Sequence, residues 1–369
     1  MLRDFELLAK LYEIHSPSNR EKKMRKFVKR ACIERGASVV QDKTGNLYVT
    51  KGESDTYPCI VAHLDQVQDN HSKDFNVYMQ GDIIFAYSAK SKAQQGLGAD
   101  DKNGIWVALQ LLEELDVLKC AFFVGEEVGC VGSSEADMDF FKNVRYCVQP
   151  DRRNGHDLIT DISGDICSKE FLDATCYADF GYAETSGLMT DVETLCTNGI
   201  GVSCINISCG YYHPHTDDEC TSWSELNNAL NFARHICTTL LDVYPHKYEN
   251  KWANYKWNDY KWGGYGYGYG CGDDYRDWYD TPSRKLYSPE DEDADYEVMD
   301  SILSYESHLT FEEVMQYYGE SDVFNTKNRT TLRRIYDDCM SMNGNYDTND
   351  EPLEGNCVGE TIDYSALKN

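Results

Sequence analysis

The chain has 369 residues, 41% of them apolar, which suffices for one large packed core or two modest ones. Its formal charge of −28 and pI near 4.6 exclude nucleic-acid backbones and anionic membranes as natural partners. The first residues, Met1-Leu2-Arg3-Asp4-Phe5-Glu6, lack the apolar run of a secretory signal and no stretch approaches membrane-spanning length, so the expected location is cytoplasmic.

Residues 2–14 and 20–35 have helical spacing, and Ser16-Pro17-Ser18-Asn19 between them supplies a break and capping side chains. Two hairpins are predicted next. One pairs 38–42 with 46–50 across Lys43-Thr44-Gly45, and the other pairs 75–79 with 82–87 across Gln80-Gly81. An apolar strand at Ile60-Val61-Ala62 precedes His63-Leu64-Asp65. Then follow a helix over 105–115, a strand over 120–124, a helix over 134–141, strands over 144–148 and 158–163, and a short helix over 190–196. A strand over 200–209 and an amphipathic helix over 224–241, ended by Pro245, close the unit. The alternation predicts an α/β fold, a mixed β-sheet flanked by helices.

Fifteen cysteines is an odd number, none forms a Cys-x-x-Cys pair, and Cys59, Cys120, Cys147 and Cys204 lie inside apolar runs. They read as reduced core residues, with no disulfide framework and no thiolate metal site. After residue 248 the composition changes. Residues 249–300 are rich in Tyr, Trp and Gly and then acidic, an expected linker or strap; 301–369 suggest a small helical appendage, over 310–318 and 330–340, and a tail. Residues 251–369 hold 25 acids and 11 bases, a net −14, so half of the chain's negative charge lies in this irregular aromatic and acidic extension.

The chemistry-bearing residues cluster at predicted strand ends. Gly98-Ala99-Asp100-Asp101-Lys102-Asn103-Gly104 and Gly125-Glu126-Glu127-Val128-Gly129 each lie between a strand-like run and a helix-like one. Open α/β sheets place their chemistry on such turns. Either turn alone could simply cap a helix. Together with His63, Asp65, Asp151 and a histidine of Tyr212-His213-Pro214-His215-Thr216, they offer ligands for two divalent metals.

This ordered set resembles the co-catalytic zinc exopeptidases, the clan of peptidase T, bacterial leucyl aminopeptidase and the glutamyl aminopeptidases, over roughly residues 1–245. The resemblance implies a zinc-peptidase-like catalytic domain over 1–248. It implies that His63, Asp100 and Asp151 hold one metal and that the bridging Asp100, Glu127 and His215 hold the other. Zinc is the first expectation, with manganese or cobalt as alternatives. Asp65 would orient His63, and Glu126 would be the general base for water activated between the metals. His215 is preferred over His213 because the family places Ser or Thr after that ligand. Lys102, Arg152 and Arg153 read as solvated charges, with substrate recognition as the sharper alternative. His71, His156 and His235 read as ordinary surface or core residues.

Two departures from the family narrow the reading. Only 64 positions separate Asp151 from His215, and 37 separate His63 from Asp100, so neither the lid insert of peptidase T nor that of the glutamyl aminopeptidases has room. Thr190-Asp191-Val192-Glu193 with Gly199-Ile200-Gly201 is similar to the aminopeptidase branches. The expected function is hydrolysis of the N-terminal bond of peptides by an aminopeptidase or di/tripeptidase. N-acyl amino acid deacylase, carboxypeptidase and a non-catalytic binding protein keeping the fold stay open as alternatives, and so does the oligomeric state.

Overall fold

The computed structural model describes residues 2–251, 299, 303, 310–318 and 329–343. The expected strap over 249–300 therefore lies almost wholly outside the described residues. In chain order the elements are α1 Leu2–Glu13, α2 Lys22–Glu34, β1 Ser38–Gln41, β2 Leu47–Lys51, β3 Tyr57–His63, β4 Phe75–Gln80, β5 Ile83–Ser88 and β6 Ala93–Gln95. They continue with α3 Ala99–Glu114, β7 Leu118–Phe123, α4 Val131–Ser134, β8 Val144–Arg152, β9 Asp157–Asp161, α5 Lys169–Thr175 and β10 Ala183–Ser186. The last are α6 Asp191–Thr197, β11 Cys204–Ser208, β12 Tyr211–Tyr212, β13 Cys220–Ser222 and α7 Trp223–Thr239.

An eight-stranded mixed sheet runs β1-β2-β7-β3-β8-β11-β9-β10. Strand β3 is buried along its whole length because it pairs in parallel with β7 on one side and β8 on the other. Side chains alternate between two faces with the period of two that a strand imposes. Ile60, Ala62, Cys120, Phe122 and Val148 join the core beneath α1, α2, α3 and α7. Cys59, Val61, Ala121, Phe123 and Cys147 join a second core with Val192 and Leu195 of α6. The architecture is thus a sheet between two helical layers. Five further strands form a second sheet, β12-β13-β5-β4 with β6 beside β5.

Helix α3 is buried almost all round, being wedged against β3 and β8, α1 and α7. Trp106, fully buried, meets Trp223 at 5.5 Å between ring centroids, and its indole N–H donates to the Asp4 carbonyl at 2.8 Å. Ser222 starts α7 by accepting the Glu225 N–H, as N-cap serines do.

Four expected elements differ. The helix over 134–141 is two short pieces, α4 and a 3-10 turn over Met138–Phe141, because the Asp137 N–H donates to the Tyr48 hydroxyl and not to a carbonyl one turn back. The strand over 200–209 is confined to Cys204–Ser208, since Gly199 and Gly201 at φ +81° and +77° hold the preceding chain in the left-handed region. Strand β8 runs on to Arg152, so Asp151 lies within a strand. Helix α7 stops at Thr239, ahead of Pro245.

Among the described residues the cysteines are all free, and Cys176 alone is exposed. No helix there is long and apolar enough to cross a membrane. The chain divides into two compact units, Met1–Tyr269 and Gly270–Asn369. In the second, helices Phe311–Tyr318 and Arg329–Asn343 share an apolar cluster of Met299, Leu303, Phe311, Val314, Leu332, Ile335, Tyr336 and Cys339.

Trp106→Ala should lower unfolding free energy by about 3–5 kcal/mol, the usual cost of a large aromatic cavity. Urea denaturation would measure it, and a loss under ~1 kcal/mol would mean that α1, α3 and α7 are not joined through this ring.

Candidate metal centre

The parallel order β7-β3-β8 brings three strand exits to one edge of the sheet. His63 ends β3, Asp151 sits near the end of β8, and Glu126 and Glu127 occupy the turn after β7. Asp100 comes from the start of α3, where Asp100 and Asp101 have non-helical backbone angles and the peptide between them is cis. His215 arrives on the loop between β12 and β13.

The structure brings together all five expected ligands, in two groups that share Asp100. In one, His63 Nε2 lies 3.1 Å from Asp100 Oδ1 and 3.4 Å from Asp151 Oδ1. In the other, His215 Nε2 lies 3.4 Å from Asp100 Oδ2 and 3.1 Å from Glu127 Oε2. The first group is closed by strands and buried. The second opens to solvent at His215, whose side chain is 34% exposed. His213 is exposed on the same loop, outside both groups, and its carbonyl accepts from the Thr216 hydroxyl.

The imidazole tautomer indicates what belongs between these oxygens. His63 Nδ1 faces only acceptors, the Asp65 carbonyl at 3.1 Å and its carboxylate at 3.3 Å, so Nδ1 carries the proton. Nε2 then faces two carboxylate oxygens, a place for positive charge that a protonated Nε2 or a bound cation can supply, and these acids hold the imidazole well above its ordinary value against the pull of burial. Glu127 Oε1 is buried with no hydrogen-bond partner among the described residues. Donor type, paired spacing and an orphaned buried oxygen all fit divalent metal ions.

Electrostatics agree. Burial pushes Glu127 and Asp151 up, and the Asp100 charge adds to it, so both rise to about 7. Asp100 goes the other way. Burial opposes its ionisation, but hydrogen bonds from His215 and His63 outweigh that and hold it far below the usual carboxylate range. Desolvation lowers His215, yet contacts with Asp100 and Glu127 carry it to about 11. Burial, with Asp151, Asp191 and Glu127 nearby, drives Glu126 well above its ordinary value. Glu126 belongs to neither ligand group.

Asp65 ties the site together. Besides facing His63, it accepts the backbone N–H groups of Glu126 and Glu127 at 3.0 and 3.2 Å and the Ser18 hydroxyl at 2.7 Å. Around Asp151 stand Gln149 at 2.8 Å and Thr190 at 3.3 Å. The Tyr211 hydroxyl lies 3.0 Å from both Asp100 Oδ2 and the Asp151 carbonyl. Sequence reading gave Tyr211 and Gln149 no role; it marked Ser18 only as a capping residue, and Thr190, Asp191 and Glu219 only as part of the family pattern, because their contacts at the site come from the fold. Buried Asp191 accepts from Ser133 at 2.6 Å, and burial raises it to about 7.

Lys102 departs from its expected solvated state. It is 1% exposed, and its ammonium donates to Gln66 Oε1 at 2.7 Å and to the Leu97 and Tyr12 carbonyls. A lysine so enclosed supports the loop and cannot meet substrate; burial lowers it to about 7. Arg152 pairs with Asp157 at 3.3 Å and Arg153 is exposed. His71 stacks between His15 and Phe75, His156 sits on the surface, and His235 is half-buried beside Phe180, all away from the two ligand groups.

Comparison with known proteins rests on shape. No family model and no curated protein matches the sequence. Among solved structures, a TET aminopeptidase from a marine-sediment thaumarchaeote is similar with a TM-score of 0.53 at 14% identity, over 66% of this chain and 98% of that one. A tripeptidase from Staphylococcus aureus gives 0.52 at 14%, over 64% and 97%. An aminopeptidase from the archaeon Desulfurococcus kamchatkensis gives 0.51 at 17%, over 64% and 94%. The chain has the mixed α/β fold of these peptidases.

Metal-free protein should become more stable as pH falls from about 7 to about 5. Glu127, Asp151 and Asp191 near 7 and Glu219 near 8 bind protons in the folded chain before their unfolded counterparts do, so folding takes up protons there. His15, His71 and Lys102, all lowered, oppose this, while His63 and His215, both raised, add to it. Bound metal needs ionised ligands, so saturating zinc should remove or reverse the trend. Thermal melts with and without chelator test this; a metal-free melting point that drops from pH 7 to 5 would contradict it.

Proposed function

We propose that this protein is a metal-dependent exopeptidase that removes the N-terminal residue of peptides, as an aminopeptidase or a di- or tripeptidase. The observation that carries the reading is the pair of His-and-carboxylate groups sharing Asp100, with Glu126 beside them and outside both. The names of the proteins sharing the fold, aminopeptidases and a tripeptidase, support the substrate class. Room for a lid insert is missing between the ligands, which favours a bare catalytic core.

His63, Asp151 and Asp100 would hold one divalent ion, and Asp100, Glu127 and His215 a second, with zinc suited to the mixed donors and manganese or cobalt as alternatives. Such ions polarise a carbonyl and acidify water. The protein's own part is proton handling and orientation. Glu126 Oε2 stands 3.9 Å from His63 Nε2, at the centre yet uncommitted, so its carboxylate can take a proton from attacking water and return it to the departing amine. The Asp65 bond to the Glu126 N–H fixes the turn that aims this side chain. Asp65 also locks the His63 tautomer, and the Tyr211 hydroxyl donates to Asp100 Oδ2.

The deciding experiment is a panel of free-amine, N-acylated and C-amidated peptides assayed with metal-reconstituted protein. Cleavage that needs a free amino terminus and tolerates C-amidation is expected. Turnover of N-acylated substrates alone would instead indicate a deacylase or carboxypeptidase.

Glu126→Gln should lower kcat by about 10²–10⁴-fold with metal content unchanged, since the amide keeps the shape but accepts no proton. A wild-type rate in this variant would remove Glu126 from its role.

Asp100→Ala should strip both ions, whereas His215→Ala should weaken mainly one, because only Asp100 contributes to both groups. Elemental analysis after dialysis distinguishes them. Full occupancy in Asp100→Ala would rule out the shared ligand.

A further inference from the structure

Glu219 is fully buried and lies four residues beyond His215, at the end of the loop that carries that histidine. Its carboxylate belongs to neither ligand group and reaches the main chain of the other ligand-bearing loop. Glu219 Oε2 accepts the Gly98 N–H at 2.5 Å and Glu219 Oε1 accepts the Asp100 N–H at 3.4 Å. Behind it runs a chain of side-chain hydrogen bonds. Gln68 donates to Glu219 Oε2 at 3.1 Å, Gln66 donates to Gln68 at 3.2 Å, and Lys102 donates to Gln66 at 2.7 Å. All four side chains are buried.

The packing of the two loops is an independent sign that their spacing is fixed. A Cβ on Gly96 would stand 2.6 Å from the Thr216 carbonyl, one residue after His215, and 2.6 Å from Gln68. A Cβ on Gly98, whose φ is +62°, would stand 2.7 Å from Gln66 and 2.9 Å from the Lys102 ammonium. At Gly96 the reason is the close approach of the Thr216 main chain, and at Gly98 it is the positive φ together with the Gln66 and Lys102 side chains packed against it. Three donors, two of them main-chain N–H groups, converge on the one carboxylate, which can only accept.

We propose that Glu219 is a positioning residue that clamps the His215 loop to the Gly98–Asp100 segment, setting the spacing between His215 and Asp100 on which the second metal group depends. It rests on the metal reading above but adds a residue that touches neither metal nor substrate. Carboxylates that orient a metal-bearing segment typically matter by about 10–100-fold in metal affinity. Loss of the clamp should therefore loosen metal without removing a ligand. Since Asp100 belongs to both groups, both ions should feel it, and the half-exposed His215 group should feel it more.

The test is metal binding to the purified full chain, read by titration with Zn²⁺ and by the visible spectrum of the Co²⁺-loaded protein, for wild type, Glu219→Gln and Gly96→Ala. Glutamine keeps the volume but sets an NH₂ group against a backbone N–H. Alanine at 96 presses the loops apart while leaving Glu219 intact. We expect two ions in wild type, an affinity for the weaker ion lowered about 10–100-fold in both variants, and an altered Co²⁺ spectrum in both, with the far-UV circular dichroism of the metal-free proteins unchanged. Wild-type affinity and spectrum in Glu219→Gln would overturn the clamp. So would a metal-free Glu219→Gln chain that is unfolded, since Glu219 would then be a residue of the core and not of the site. Failure of wild type itself to bind divalent metal would instead refute the metal centre, leaving the two ideas separable.

Discussion

Crowded negative charge is the constraint around which this molecule is built. Asp65, Asp100, Asp101, Glu126, Glu127, Asp151, Asp191 and Glu219 are wholly or largely enclosed at one edge of the sheet, where water cannot screen them. Against them stand one lysine and two imidazoles. Some of the acids are satisfied internally. Asp101 accepts the N–H groups of His63 and Gly104, and Asp65 has four partners. Asp100, Glu127 and Asp151 lean on the imidazoles, and Glu127 keeps one oxygen unmatched. A folded chain does not gather such a set without a cation in prospect, since each uncompensated carboxylate would otherwise be held protonated by its neighbours.

The sheet makes this crowding geometrically cheap. Three adjacent parallel strands deliver their exits side by side, so His63, Asp151 and the Glu126–Glu127 turn converge without any long loop. That part was legible in the sequence. Apolar runs of strand length ending in His, Asp or Glu can be read locally, and the β1–β2 and β4–β5 hairpins were marked by glycine turns. The order of motifs, together with the family resemblance, named the five residues that the fold gathers into two groups, His213 lying outside them.

Less legible was everything fixed by tertiary contact. Lys102 beside two aspartates looks like a surface charge, and only the packing of α3 against Tyr12, Gln66 and Leu97 shows it enclosed. The expected helix over 134–141 fails because a distant tyrosine takes the Asp137 N–H. Strands β6, β10, β12 and β13 have two to four residues each, too short to show periodicity. Helix α5 was passed over although Ser168 caps it by accepting the Phe171 N–H, since its seven residues offer just under two turns of pattern. Helical character was expected over 310–318 and 330–340, with Leu332, Ile335 and Tyr336 as the apolar positions, whereas the core that the two helices share needed the fold.

The first twenty residues show how far such support reaches. Ser18 binds Asp65, which in turn holds the turn of Glu126 and Glu127. The Tyr12 hydroxyl donates to Asn103 at 2.5 Å and meets Thr221 at 3.0 Å, while the Tyr12 carbonyl accepts from Lys102. Asn103 passes the contact on to the Cys209 carbonyl at the exit of β11, ahead of the loop that brings His215. One N-terminal segment thus touches the supports of both ligand groups, although it supplies no ligand itself. Each of these bonds is modest alone, about 0.5–1.5 kcal/mol net. Their effect on the site lies in geometry, because Asp65, Lys102 and Asn103 sit two or three residues from His63 and Asp100. Any one of them displaced by an ångström would carry a ligand with it.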